Sequence, residues 1–146
     1  MSKVTDEPFY SGLPMELDEL SPEAVLPYPL PDGALVVTIE EARASLSEAK
    51  NVLMVLQAMS DEAHDLTNEL ELLLDQYAMT HPHVMEVAEH LGSMVAQWQA
   101  SVARLESIGA RIVSMDPGRL EWYGVVDHRM ALFSWAVGEP DIEWYY

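Results

Sequence analysis

The sequence predicts a mainly α, α+β fold: a long antiparallel two-helix, coiled-coil-like hairpin followed by a small C-terminal β-hairpin or sheet. Three observations carry this. Apolar residues recur every seven positions over two long stretches, about 39–77 and 83–108. A loop signal, Met79-Thr80-His81-Pro82, separates them. Beyond Gly109 the periodicity becomes alternating, and aromatic and β-branched residues crowd 110–137.

Residues 1–33 read as an acidic, Pro-rich N-terminal extension. Pro8, Pro14, Pro22, Pro27, Pro29 and Pro31 oppose helix and strand pairing. Phe9, Tyr10, Leu13, Met15, Leu17, Leu20 and Leu26 make it more apolar than a free linker, so it is expected to pack on its own chain or a second copy, with a short linear motif for a partner as the alternative. Residues 34–146 read as one domain, with the helical hairpin over 38–109 and a β-rich part over 110–146. Asp32-Gly33 is a turn, and Ala34–Val37 has strand character. Thr38 and Glu41 form a capping box for the first helix, expected from Ile39 to Tyr77.

Its seam is expected on two series. One is Ala42, Ala49, Leu56, Ala63, Leu70 and Tyr77; the other is Ile39, Leu46, Leu53, Ser60, Thr67 and Leu74. Ser60 and Thr67 put a polar stretch near its middle. The second helix is expected from about His83 to Ile108, with Thr80 or His81 as cap and Gly109 as the C′ glycine. Its series are Val84, Leu91, Trp98, Leu105 and Ala88, Val95, Val102. The short connection makes the two helices antiparallel neighbours. Residues 120–126 and 130–137 then read as a β-hairpin about Asp127-His128-Arg129.

Composition narrows the function. The 146 residues carry 7 Lys and Arg against 25 Asp and Glu, a formal charge of −18. Direct nucleic-acid binding needs clustered Lys and Arg and is not expected, and neither is an anionic membrane surface. A basic protein fits the charge, although keeping the chain dissolved is the plainer use of it. There is no cysteine, which removes disulfides, thiolate metal sites and cysteine nucleophiles. No signal-peptide pattern and no apolar run of membrane-spanning length is present, so the expected location is cytoplasmic.

Few residues suggest chemistry. There is no Gly-x-Ser-x-Gly elbow and no Gly-rich phosphate loop. No cofactor is expected, with a metal as the one exception the residues allow. His81 and His83 stand as His-x-His in the loop, and Glu86 on the next turn is the nearest third ligand. Two solvated loop histidines are the plainer reading. Asp61 with His64, and Glu86 with His90, also share helix faces. Among the aromatics, Trp122, Tyr123, Trp144, Tyr145 and Tyr146 are the candidate interaction residues. Alternation puts Trp122 and Tyr123 on opposite faces of a strand, so one is expected to be exposed unless something covers it.

Three stretches carry a family resemblance. They are Val37-Thr38-Ile39-Glu40-Glu41-Ala42, the run from Ile108-Gly109-Ala110 to Gly118-Arg119-Leu120, and Trp135-Ala136-Val137-Gly138-Glu139-Pro140-Asp141-Ile142-Glu143-Trp144. In order and spacing they resemble DUF2203, a bacterial family of unknown function, over roughly residues 37–145. The resemblance supports the architecture and implies no activity. Where the family pattern has a histidine after its last Trp, this sequence has Tyr145, so any role of that histidine is expected to be missing.

The function these features suggest is non-enzymatic: a protein–protein interaction or structural protein acting as a homodimer, with a basic protein as a further partner. A two-helix hairpin seldom buries its apolar stripes alone, and pairing two hairpins solves this. The alternative is a metal-binding protein or metal-dependent enzyme using helix and loop histidines with carboxylates.

Overall fold

The structure, a computed structural model, describes residues 2–4 and 33–146. It contains two long helices and a C-terminal sheet. The elements are β1 (Ser2–Lys3), β2 (Val36–Val37), α1 (Ile39–Leu74), α2 (Pro82–Ser107), β3 (Ala110–Met115), β4 (Gly118–Val126), β5 (Arg129–Ala136) and β6 (Trp144–Tyr145). No helix among the described residues is long and apolar enough to cross a membrane.

Helix α1 starts where its cap dictates. The Glu41 amide donates to Thr38 Oγ1 at 3.0 Å, and the Thr38 amide donates back to Glu41 Oε1 at 3.1 Å. The helix ends at Leu74, three residues before the expected Tyr77. Tyr77 instead lies in the loop, its ring 4.2 Å from that of His81. His81 caps α2, its Nδ1 accepting from the His83 amide at 3.1 Å, and Pro82 occupies the first turn, where a missing N–H costs nothing. Gly109 follows α2 with φ +85°, a conformation that glycine adopts without strain.

The sheet runs β1-β6-β5-β4-β2, with β3 also on β4. One edge of β4 is taken by β5. Its other edge is shared end to end. β3 pairs antiparallel with Gly118–Trp122, and β2 pairs parallel with Tyr123 and Gly124. The two feet of the helix pair therefore stand side by side on one strand: Val37 opposite Gly124, Ala110 opposite Trp122. The β4–β5 turn is tighter than the three residues expected. Only Asp127 and His128 form it, with φ of 50° and 65°, the paired positive values of a type I′ turn. Ser2 and Lys3 add a short strand on β6, and Val4 is buried in the core. The rest of the extension expected to pack as a tail lies outside the described residues.

The main core lies between α1 and one face of the sheet. Ile39, Ala42, Leu46, Ala49, Leu53 and Leu56 meet Leu120, Trp122, Phe133 and Trp135 there. Each large apolar side chain enclosed in this way contributes about 1.5–3 kcal/mol. The first half of the α1 seam follows the expected series. In the second half only one series holds, at Ala63 and Leu70, while the other moves by one residue. After Leu56 the stripe steps three residues to Met59 and continues through Ala63, Leu66, Leu70 and Leu73, leaving Ser60, Thr67 and Leu74 exposed. This three-residue step is a local phase shift of the heptad pattern. The polar residues thus stay in solvent instead of interrupting the seam.

Gly124 shows how closely the sheet packs. A Cβ there would enter the Phe133 ring, with Cζ 2.7 Å and Cδ2 2.8 Å away. Gly124→Ala is expected to lower stability by about 1–3 kcal/mol, the usual cost of overpacking, measured by urea denaturation.

Candidate functional site

The same one-residue shift occurs on α2. Val84, Val87, Met94 and Leu105 are buried, with Leu91 and Trp98 partly so. Ala88 and Val95, expected in the seam, face outward instead, and Val95 is 57% exposed. The apolar stripe of α2 is therefore wider than the surface α1 covers. The uncovered part forms an open groove of about 370 Å³ beside Met59, Ala63, Leu91, Gly92, Val95 and Trp98. The end of β3 meets α1 over Gln57, Ser60 and Asp61, beside the α1 residues that line the groove. The Gln57 amide donates to the Met115 carbonyl at 2.9 Å.

The groove lining is uncharged, but the helix segment that holds it carries fixed charge of one sign. Between residues 51 and 103 there are eight Asp and Glu and no Lys or Arg. Three ion pairs join α1 to α2. They are Glu69–His83 at 3.7 Å, Glu62–His90 at 3.2 Å, and Glu48–Arg104; the histidine pairs are ionic only when the ring is protonated. Each pair is symmetric about Gln76.

The expected metal set is not assembled. His81 Nδ1 is occupied by its cap bond, while His83 approaches Glu69 and Glu86, the latter at 3.9 Å. No three His, Asp or Glu side chains among the described residues form a group able to hold a metal ion. His64 lies 3.4 Å from Asn68, and His90 pairs with Glu62 across the helices, not with Glu86 on its own.

Two of the five interaction candidates belong to the core. Trp122 is fully enclosed, its indole N–H donating to Ser45 Oγ on α1 at 3.0 Å. Tyr123 is buried on the opposite face, with the Arg111 guanidinium 5.2 Å from its ring centroid. Both faces of β4 are covered, so alternation leaves neither residue for a partner. Trp144 and Tyr145 are half-buried in β6, and Tyr146 is exposed, although its backbone exchanges two hydrogen bonds with Leu132.

One polar cluster escaped the sequence reading. On the sheet face turned away from α1, Arg111, Glu121, Ser134 and Trp144 stand opposite one another on successive strands. Glu121 is fully enclosed; Arg111 Nη2 donates to its Oε1 at 2.8 Å, and its Oε2 has no hydrogen-bond partner among the described residues. Arg119 Nη2 donates to Ser134 Oγ at 3.0 Å. Periodicity reads Glu121 as an acid inside a strand. Only the pairing register shows that an arginine lies opposite.

The closing motif of the sequence has a structural use. The Trp135 indole N–H donates to the Glu139 carbonyl at 2.9 Å, and the Ala136 amide donates to Glu139 Oε1 at 2.7 Å. Gly138 turns with φ +101°, and Arg43 reaches from α1 to donate to the Ile142 carbonyl at 2.9 Å. These bonds fix the return from β5 to β6 and tie it to α1.

Such features define an α+β protein with a long helix pair standing on a C-terminal sheet. The chain belongs to DUF2203, a family described as an uncharacterized conserved protein, whose model matches residues 36–146. No curated protein and no solved structure matches the chain.

The Arg111–Glu121 pair makes a stability prediction. Arg111→Met strands an enclosed carboxylate and is expected to cost about 3 kcal/mol. Adding Glu121→Gln should restore part of that loss. A double-mutant cycle by chemical denaturation measures the coupling, and simple additivity would contradict it.

Proposed function

We propose that this is a non-enzymatic protein–protein interaction protein whose working part is the helix pair, an antiparallel coiled-coil-like hairpin. The three ion pairs symmetric about Gln76 support the antiparallel register. The observation that carries the interaction reading is the groove along α2. There Val95 and Gly92 lie in solvent beside the half-buried Leu91 and Trp98. A contiguous apolar surface of this kind is costly to leave wet and marks a contact surface.

Two occupants suit it. A second copy would give a homodimer with four helices together. A different protein of basic character would match the charge. The metal-binding alternative has weaker support, since the His81 Nδ1 atom accepts from the His83 amide and only its Nε2 is left for a ligand.

A photo-crosslinking residue in place of Val95, in the full chain within cells that make it, tests this reading. A discrete crosslinked species is expected from position 95 and not from Glu40, an exposed residue in the first turn of α1. An uncrosslinked chain at position 95 would contradict it.

A further inference from the structure

We infer that the groove binds a cationic amphipathic helix of another protein, a conclusion that rests on reading the groove as an interaction surface. Three observations point to this occupant.

The first is shape. The groove runs along α2 from Leu91 to Gln99, about two and a half helical turns or ~13 Å, which matches a helix of about nine residues. Its floor is apolar, formed by Leu91, Val95 and Trp98 with Met59 from α1.

The second is Gly92. Glycine inside a helix costs about 0.8–1 kcal/mol relative to alanine. Gly92 is in the middle of α2, and a Cβ built on it meets nothing within 4 Å among the described residues. Packing inside the chain therefore does not require glycine here. A backbone approaching from outside would: small residues let two helices come close.

The third is charge. The helix pair presents eight carboxylates and no Lys or Arg between residues 51 and 103. A second copy would bring a helix segment of the same acidic character, and like charges set against each other are unfavourable. A helix with Lys or Arg along its polar face meets opposite charge while its apolar face fills the groove. Histidines 64, 81, 83 and 90 are the only other ionisable bases in the segment, and His83 and His90 already face carboxylates of α1.

The experiment uses two labelled synthetic helices with the same leucine pattern, one with lysine and one with glutamate on the polar face. Each is titrated by fluorescence anisotropy against the full chain and its Gly92→Leu and Val95→Asn variants. Circular dichroism checks that the variants fold, and light scattering reports the oligomeric state.

The lysine helix is expected to bind saturably, one per chain, and more weakly as salt is raised. The glutamate helix should not bind. Each variant should weaken binding about tenfold or more, the effect of losing roughly 1.4 kcal/mol of contact. Binding of the lysine helix that neither variant changes would mean contact with surface carboxylates alone, and would overturn the proposal. Failure of the lysine helix together with a dimer that Gly92→Leu dissociates would also overturn it; the groove would then be an interaction surface occupied by a second copy. Failure with a monomer throughout overturns it as well, and crosslinking at position 95 then decides the broader reading independently.

Discussion

Strand β4 fixes the layout of this protein. It pairs along one edge with β5 and divides its other edge between β3 and β2. Because β2 leads into α1 and β3 leaves α2, one strand holds both feet of the helix pair. The junction is close-packed: a Cβ on Gly109 would lie 3.0 Å from Val37 Cγ1. The feet cannot spread without breaking sheet hydrogen bonds, so helix spacing at the base is set by strand spacing. Away from the base the sheet ends, and the helices have only each other. An apolar stripe that stays wide past that point has nothing in the described chain to cover all of it.

Local signals were legible in the sequence where the chemistry is local. The Thr38–Glu41 capping box, Pro82 at the start of α2 and Gly109 at its end act over a few residues, and each stands where it was read. The seam from Ile39 to Leu56 was legible because a heptad pattern fixes one helix face. The seam beyond Leu56 was not. Ser60 and Thr67 looked like polar breaks because the seven-residue frame was carried forward unchanged. The helix instead shifts its buried face by one residue, through Met59, Leu66 and Leu73. The same assumption placed Ala88 and Val95 inside and so concealed the groove.

Contacts set by tertiary pairing were beyond the sequence. Two valines at 36 and 37 give no sign that they will pair parallel with Tyr123 and Gly124. The burial of Glu121 depends on Arg111, ten residues away across the β3–β4 turn. Trp122 and Tyr123 were candidates for a surface because large aromatics suit both interfaces and cores. Covering both faces of β4 makes them core. His81 and His83 are close because His81 caps α2 and accepts from the His83 amide in its first turn, a local contact that the His-x-His spacing alone does not reveal.

The charge distribution separates two regions of the molecule. Arg111 and Arg119 lie on the sheet and meet a carboxylate or a hydroxyl. The helix segment from 51 to 103 has no Lys or Arg at all. Its central claim to function is that the Val95 side of α2 is open in the chain alone while the Val87 side is closed. Since the chain has no cysteine, single Val95→Cys and Val87→Cys variants report this through their rates of thiol alkylation. Fast labelling is expected at position 95 and strong protection at position 87. Equal protection at both positions would mean that the groove is already filled, and would contradict it.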